Sequence, residues 1–146
     1  MKVVFVCTGN TCRSPMMAAM FRDYAKKVGF DCEVDCAGMT GGGSPVNPKA
    51  AHSLAARGLS ADDRLSRVFG EGEKDADFVF TMTDAQRDEL RTRHPDLFVE
   101  SLSLFAGGDI ADPYGGTQAD YDATADAFEG ILGKVHDFIL SHAGSE

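Results

Sequence analysis

The sequence lacks long apolar segments and is poor in basic residues. Its apolar runs, residues 3–7 among them, are far below the roughly 18 residues of a membrane span and also below the ~7–15 of a secretory signal. Lysine and arginine total 14 against 23 aspartates and glutamates, which gives a net charge of −9. Because this charge repels polyphosphate backbones, we expect no binding to nucleic acids. The short apolar runs predict a soluble, cytoplasmic protein that does not bind membranes.

Proline and cysteine are also few. The 146 residues include 5 Pro and 4 Cys, and 43% of them are hydrophobic. This composition excludes disordered and fibrous proteins, and the length is typical of one domain, which we predict over residues 1–146. The four cysteines favour free thiols in a reducing compartment. A zinc-binding module built from the C-x4-C and C-x3-C pairs stays an alternative, although its spacings are looser than usual.

Hydrophobic periodicity predicts strands that alternate with helices. Strands are expected at residues 3–7, 32–37 and 77–82, with a fourth inside 97–105. Residues 32–37 alternate apolar and acidic side chains, which is typical of an edge strand with one wet face. The alternation of strands and helices indicates an α/β fold with a parallel sheet covered on both faces, a three-layer αβα arrangement.

Capping residues set the expected limits of the first two helices. In the first helix, Ser14 is expected as the N-cap and Pro15 as the first residue, and Gly29 ends it. The second helix is expected over residues 48–57, where Gly58 stops it.

Two further helices are expected in the second half of the chain. Thr83 and Gln86 form a capping box for a helix that runs to His94, before Pro95. The apolar positions of a single final helix recur at spacings of three and four, at Tyr121, Thr124, Phe128, Leu132, Val135 and Ile139. This stripe is predicted to be core.

The loop between the first strand and the first helix reads CTGNTCRSP, residues 7–15. In a parallel α/β sheet, ligands bind beyond the carboxyl ends of the strands, so this loop is the first place to look. Small residues before a helix start allow backbone N–H groups to surround a tetrahedral anion. Arg13 adds a planar fork that can grip two phosphoryl oxygens, with Cys7 below the phosphorus. A Walker-type nucleotide loop is excluded because no GK[ST] follows.

The same surroundings favour the thiolate form of Cys7, which is the nucleophilic form. Ser14 is placed to donate its hydroxyl hydrogen to that thiolate. Gly9 and Asn10 are expected to supply left-handed backbone conformations that bend the loop inward. An inert buried thiol is the alternative for Cys7.

The segment DPYGG supplies a candidate proton donor, Asp112. A leaving group on phosphorus needs a proton, and the same carboxylate could later activate water. Pro113 stiffens the backbone beside it, and Tyr114 offers an aromatic wall to the cleft. The alternative is that Asp112 only initiates a turn.

Together, the patterns V-C-x-G-N-x-C-R-S-P and D-P-[YF] resemble the low-molecular-weight protein phosphatase family. The resemblance covers essentially the whole chain. It implies a four-stranded parallel sheet, a phosphocysteine mechanism without metal or cofactor, phosphorylated proteins as substrates and inorganic phosphate as product. It further implies Cys7 as nucleophile, Arg13 as phosphate clamp and Asp112 as general acid. The remaining substrate-binding positions that it implies are Thr8, Gly9, Asn10, Thr11, Cys12, Ser14 and Tyr114.

Within this family, position 11 divides substrates. Tyrosine phosphatases usually carry Ile or Leu there, whereas CTGNTCRSP with Thr11 is similar to the bacterial protein-arginine phosphatases. A smaller, hydroxyl-bearing side chain leaves room for a guanidinium and can accept a hydrogen bond from it. Gly115 and Gly116 replace a second aromatic residue, and residues 38–45 offer none. A phosphoarginine phosphatase is therefore expected, with a tyrosine phosphatase as the alternative.

Other positions of the chain bear on this resemblance. Cys12 is similar to the family's second loop cysteine, which traps oxidised Cys7 as a reversible disulfide; a small buried filler is the alternative. Cys36 stands where the family often has a serine that bonds Asn10, and Asp63 stands where a histidine is frequent. Arsenate reduction is disfavoured because no cysteine follows Cys36. Surface positions, without a metal-binding role, are expected for His52, His94, His136 and His142.

Overall fold

The fold is described from a computed structural model, which covers residues 1–61 and 64–143. Four parallel strands form one sheet in the order β2-β1-β3-β4. The strands are β1 (Lys2–Cys7), β2 (Glu33–Gly38), β3 (Phe78–Thr81) and β4 (Val99–Ser101). β1 pairs with both β2 and β3, so both of its edges are hydrogen-bonded, and its residues 3–7 are buried. The predicted four-stranded α/β fold is confirmed, with β2 at an edge as expected; Asp63 lies outside the described residues.

Helices cover both faces of the sheet. They are α1 (Arg13–Val28), α2 (Pro48–Ala55), α3 (Asp84–Arg93), α4 (Ser103–Ala106), α5 (Gln118–Glu129) and α6 (Leu132–Ala143), with a short 3-10 turn at Glu71–Glu73. One face of the sheet packs Phe5 and Phe80 against buried residues of α1, α5 and α6. The other face packs Val4 and Val79 against Leu90 of α3. The side chains of β1 therefore alternate between two cores, and its carboxyl end carries the loop into α1.

The start of α1 differs from the sequence-based prediction. The helix begins at Arg13 with Cys12 at the N-cap position, and no side chain caps it. Ser14 is not the cap, because its hydroxyl lies instead against Cys7 and Asn10. Pro15 occupies the third helical position, still within the first turn, where a missing N–H costs no intrahelical bond. The predicted end is confirmed, since Gly29 has φ 73° at the C-cap.

The single final helix that the sequence predicts is wrong: α5 and α6 are separate helices. The break falls at Gly130 and Ile131, where Ile131 N donates to Phe128 O, three residues back, at 3.0 Å. Glycine is the poorest non-proline helix former, about 1 kcal/mol worse than alanine, which weakens the helix there. The core prediction for the stripe is confirmed at the buried positions Tyr121, Thr124, Phe128, Val135 and Ile139. Leu132 is only partly buried, whereas the preceding residue, Ile131, is buried.

The predicted capping box of α3 is confirmed. Gln86 N donates to Thr83 Oγ1 at 3.2 Å, and Thr83 N donates to Gln86 Oε1 at 3.2 Å. This box places the first turn of α3 just beyond the carboxyl end of β3. Within the described ranges, no helix combines the length and the apolar character that crossing a bilayer requires.

Candidate active site

Cys7 lies at the carboxyl end of β1 and is 3% exposed. Its Sγ lies 3.0 Å from Ser14 Oγ, and the backbone N of Ser14 points to the same sulfur at 3.4 Å. Both groups belong to the first turn of α1, where backbone N–H groups have no intrahelical acceptor. A backbone N–H and a hydroxyl thus meet one sulfur near the positive end of a helix, and the hydroxyl also lies within donating distance, 3.3 Å, of Ala37 O.

Asn10 shapes the loop between Cys7 and the helix. It has φ 59°, the left-handed conformation predicted for it. Its Nδ2 donates to Ser14 Oγ at 2.8 Å, and its Oδ1 accepts from Arg67 N at 3.1 Å. The left-handed conformation predicted for Gly9 is wrong, because the inward bend is made at Asn10 alone. Asn10 therefore fixes both the course of the loop and the hydroxyl that contacts Cys7.

The loop is also held from a neighbouring segment. Three of its carbonyl oxygens, those of Cys7, Thr8 and Thr11, accept hydrogen bonds at 2.9 Å from the backbone N of Met39, Thr40 and Asn47. Gly38, the last residue of β2, comes close to it: a Cβ there would stand 2.9 Å from Thr8 O. Gly38 was not among the residues predicted from the sequence, although a glycine at a strand end is a signal of close backbone approach.

Cys36, which stands where the family pattern often has a serine, is buried close to Asn10. Burial raises the pKa of the Cys36 thiol, and hydrogen bonds with the Asn10 amide and the Arg64 guanidinium act in the opposite direction. Because Asn10 also retains its bonds to Ser14 and Arg67, the replacement leaves the loop anchored.

Arg13 is 4% exposed and reaches two loops. Its Nη1 donates to Ile110 O at 2.8 Å, and its Nη2 donates to Thr8 Oγ1 at 3.3 Å. The same Nη2 lies 3.6 Å from Asp112 Oδ2. A buried guanidinium needs such partners, and here they join the phosphate-binding loop to the segment that carries Asp112.

Asp112 lies at the rim of the site with a half-exposed side chain. Its Oδ1 accepts from Tyr114 N at 3.1 Å, so it does initiate a turn, and its Oδ2 faces Arg13. Gly115 has φ 81°, and Gly116 N donates to Pro113 O at 2.8 Å. Tyr114 is 73% exposed. The Asp112 carboxylate thus both initiates a turn and approaches Arg13.

These groups surround a cavity of about 200 Å³. It is lined by Cys7, Thr8, Gly9, Thr11, Cys12, Arg13, Asp112 and Tyr114. The structure therefore brings together residues about a hundred positions apart that the sequence singled out. Asn10 and Ser14 are not among the lining residues, because their side chains lie behind the loop and support Cys7. A larger cavity of about 560 Å³, between residues 106–116 and α5, shares Asp112 and Tyr114 with it.

Cys12 is buried beside the cavity. Its Sγ lies 3.4 Å from the hydroxyl of Tyr121 and 3.7 Å from Thr11 Oγ1. Burial raises the pKa of the Cys12 thiol, and these two hydrogen bonds act in the opposite direction. The four cysteines are free thiols. In the part of the chain that the structure describes, no group of three or more His, Cys, Asp or Glu side chains could hold a metal ion.

Comparison with known families and proteins adds independent information. The model of the family described as low molecular weight phosphotyrosine protein phosphatase matches residues 2–142. A low molecular weight protein-tyrosine-phosphatase PtpB from Staphylococcus haemolyticus is 32% identical over 92% of this chain and 97% of its own length. A protein-arginine-phosphatase from Bacillus subtilis is also 32% identical, over 92% of this chain and 94% of its own length.

Solved structures agree with these sequence matches. The YwlE arginine phosphatase C7S mutant with phosphorylated active site serine superposes with a TM-score of 0.88 at 29% identity, covering 95% of both chains. A low molecular weight protein tyrosine phosphatase from T. tengcongensis superposes with a TM-score of 0.87 at 33% identity, covering 94% of this chain and 98% of its own. Proteins named for each of the two substrates are therefore similar to this chain to about the same degree.

Proposed function

The chain belongs to the low molecular weight phosphotyrosine protein phosphatase family, and within it we propose a phosphatase that hydrolyses phosphoarginine in proteins. Membership makes it a hydrolase of the C-x5-R type. The observation that carries the proposed mechanism is the meeting of Cys7, Arg13 and Asp112 around one cavity. A cytoplasmic location belongs to the same proposal.

The reaction begins at Cys7. The thiolate attacks the phosphorus, the bond from phosphorus to the substrate nitrogen breaks, and Asp112 gives its proton to the departing guanidine. Arg13 and the loop amides neutralise the charge on the transferring oxygens. In the second step the Asp112 carboxylate takes a proton from water, which attacks the phosphocysteine. Inorganic phosphate leaves, and the Cys7 thiolate and the protonated Asp112 are restored.

The preference for phosphoarginine rests on the cavity wall. Thr11 lines it with a short side chain that bears a hydroxyl, and Tyr114 is the one aromatic residue among its described lining residues. A guanidinium carries several N–H donors that need acceptors when they leave water, whereas a phenyl ring gains from aliphatic and aromatic walls. The cavity wall therefore suits the guanidine group of phosphoarginine better than the phenyl ring of phosphotyrosine.

A tyrosine phosphatase with the same mechanism is the second candidate. The observation in its favour is that the PtpB protein-tyrosine-phosphatase matches this chain at the same 32% identity as the Bacillus subtilis protein-arginine-phosphatase. The two candidates share Cys7, Arg13 and Asp112, so only substrate comparison separates them.

The test is hydrolysis of matched phosphoarginine and phosphotyrosine peptides by wild-type protein and by variants of Thr11. We expect the wild type to favour phosphoarginine in kcat/KM. Thr11→Ile should invert the ratio, while Thr11→Val, which keeps the shape and loses only the hydroxyl, should slow phosphoarginine alone. A wild type that hydrolyses both equally, or favours phosphotyrosine, overturns the proposed preference.

A further inference from the structure

Gln86 makes one hydrogen bond that its capping role does not explain. The residue is 9% exposed. Its Oε1 accepts from the backbone N of Met82 at 3.0 Å and of Thr83 at 3.2 Å, which caps α3. Its Nε2 donates to Thr8 Oγ1 at 3.0 Å, across 78 residues of sequence. The side chain thus connects the start of α3 to the phosphate-binding loop.

The cap fixes which end of this amide faces the loop. If the amide were turned over, its NH2 would point at the N–H groups of Met82 and Thr83, and donors would meet donors. The Nε2 group is therefore committed to Thr8. A buried amide in a defined orientation is a rigid support for the group that it contacts.

Thr8 occupies the centre of this contact. Its hydroxyl oxygen accepts from Gln86 Nε2 and from Arg13 Nη2, the latter at 3.3 Å. A hydroxyl has two acceptor lone pairs and one hydrogen to donate. Because two donors already converge on the oxygen, its hydrogen is what Thr8 has left to offer. Thr8 lines the cavity beside Cys7, where a bound anion would receive that hydrogen.

We propose that Gln86 is a positioning residue for anion binding, acting through the Thr8 hydroxyl on the substrate phosphoryl group and on the Arg13 guanidinium. Gln86 does not line the cavity that Cys7 lines. By donating to the Thr8 oxygen, Gln86 leaves the Thr8 hydroxyl to donate its own hydrogen to a bound anion. Gln86 also fixes the position of this oxygen, which accepts from Arg13 Nη2. This inference rests on the proposed function, since it needs a phosphoryl group to bind beside Cys7.

Two substitutions separate positioning from capping. Gln86→Met removes both roles. Gln86→Glu keeps an oxygen for the N–H groups of Met82 and Thr83 but, as a carboxylate, donates nothing. The Thr8 hydroxyl would then turn its hydrogen to the new carboxylate and away from the cavity. A matched control is Thr83→Val, which removes the other half of the capping box without touching Thr8.

The readout is the inhibition constant of inorganic phosphate against hydrolysis of an aryl phosphate, measured with kcat and KM. We expect Gln86→Met to weaken phosphate binding by about tenfold, a factor that corresponds to 1.4 kcal/mol. Gln86→Glu should weaken it further, because its charge also opposes the anion. Thr83→Val should lower the melting temperature and leave the phosphate inhibition constant within about twofold of wild type.

A double-mutant cycle tests the route through Thr8. In a Thr8→Val background, Gln86→Met should cause no further loss of phosphate affinity, because the intermediary is already gone. Additive losses, or an unchanged inhibition constant in folded Gln86→Glu protein, overturn the inference. Failure of the proposed function looks different: the wild type itself then shows no hydrolysis that depends on Cys7.

Discussion

The two loops that form the cavity are held in different ways. The phosphate-binding loop, residues 7–15, has Cys7, Asn10, Arg13 and Ser14 buried. It is anchored by the Gln86 side chain of α3 and by the backbone N–H of Arg67. The segment that carries Asp112 is largely exposed. Binding the anion demands a preformed ring of donors, because misplacement weakens every contact at once. The carboxyl that delivers the proton, in contrast, must reach leaving groups of different shapes. The difference suggests a rigid anion site beside an adaptable acid.

Replacing Asp112 separates the two tasks most strongly. Asp112→Ala should lower kcat/KM, which reports the steps up to phosphoryl transfer, by roughly 10²–10⁴ for substrates with poor leaving groups, the range typical of general acid catalysis. Activated aryl phosphates, which depart without a proton, should lose far less. The inhibition constant of inorganic phosphate should change little, because the buried loop binds the anion. Equal losses on both substrates would remove the acid role from Asp112.

Disturbing the rigid loop should impair binding and stability together. Asn10→Ala removes two side-chain hydrogen bonds, one of them fully buried, and places alanine at φ 59°. We expect the free energy of unfolding to fall by about 3 kcal/mol and phosphate affinity by about tenfold. Asn10→Gly is the matched variant, since glycine tolerates this φ and loses only the side-chain bonds. Denaturant unfolding should therefore rank Asn10→Gly between wild type and Asn10→Ala, and the opposite ranking would exclude backbone strain as a contributor.

The anchor behind the loop gives a pH-dependent prediction. Asp35 on β2 pairs with Arg64 and Arg67, and Arg67 N in turn bonds Asn10. Burial opposes ionisation of this carboxyl, but hydrogen bonds from Arg64 and the Cys36 backbone outweigh it, so the pKa of Asp35 lies below its usual value. The unfolded chain then binds the proton more readily. The resulting stability is present above about pH 4, the unfolded pKa, and is lost as pH falls through the folded value.

Asp35→Asn should therefore destabilise the protein by about 2 kcal/mol at pH 7. The difference from wild type should shrink as pH falls below about 4, where the wild-type carboxyl also becomes neutral. Urea unfolding at a series of pH values measures both. A difference that stays constant with pH would mean that the charge of Asp35 contributes nothing to the anchor.

The smallest effect is expected in the exposed segment. Lys49 Nζ donates to Gly116 O at 2.6 Å, in a solvent-exposed contact that ties this segment to α2. Lys49→Met should lower kcat/KM for a phosphorylated peptide by about threefold, since such a bond contributes about 0.7 kcal/mol. Phosphate inhibition should stay at the wild-type value. A loss of phosphate affinity would show that the two loops are not independent.

Local patterns in the sequence were enough to predict the strands, the capping box of α3 and the positions of Cys7, Arg13 and Asp112. Each depends on neighbours within a few residues or on a recognised spacing. The contacts that support them were not predictable in this way. The bonds of Gln86 to Thr8 and of Arg67 to Asn10 join residues 78 and 57 positions apart. Whether Ser14 caps a helix or supports a sulfur is likewise decided by what the fold brings to its hydroxyl.

In the proposed mechanism, Cys7 carries the phosphoryl group between the two steps. Reaction with a phosphorylated peptide, quenched in denaturant within one turnover and followed by mass spectrometry of the peptide that contains Cys7, tests it directly. We expect a phosphoryl group on Cys7 of the wild type and none in Cys7→Ala. With an activated aryl phosphate, whose departure needs no proton from Asp112, Asp112→Ala should hold a larger phosphorylated fraction, because only its second step is slowed. Hydrolysis that persists in Cys7→Ala, or that proceeds in the wild type with no phosphoryl group on Cys7, would contradict it.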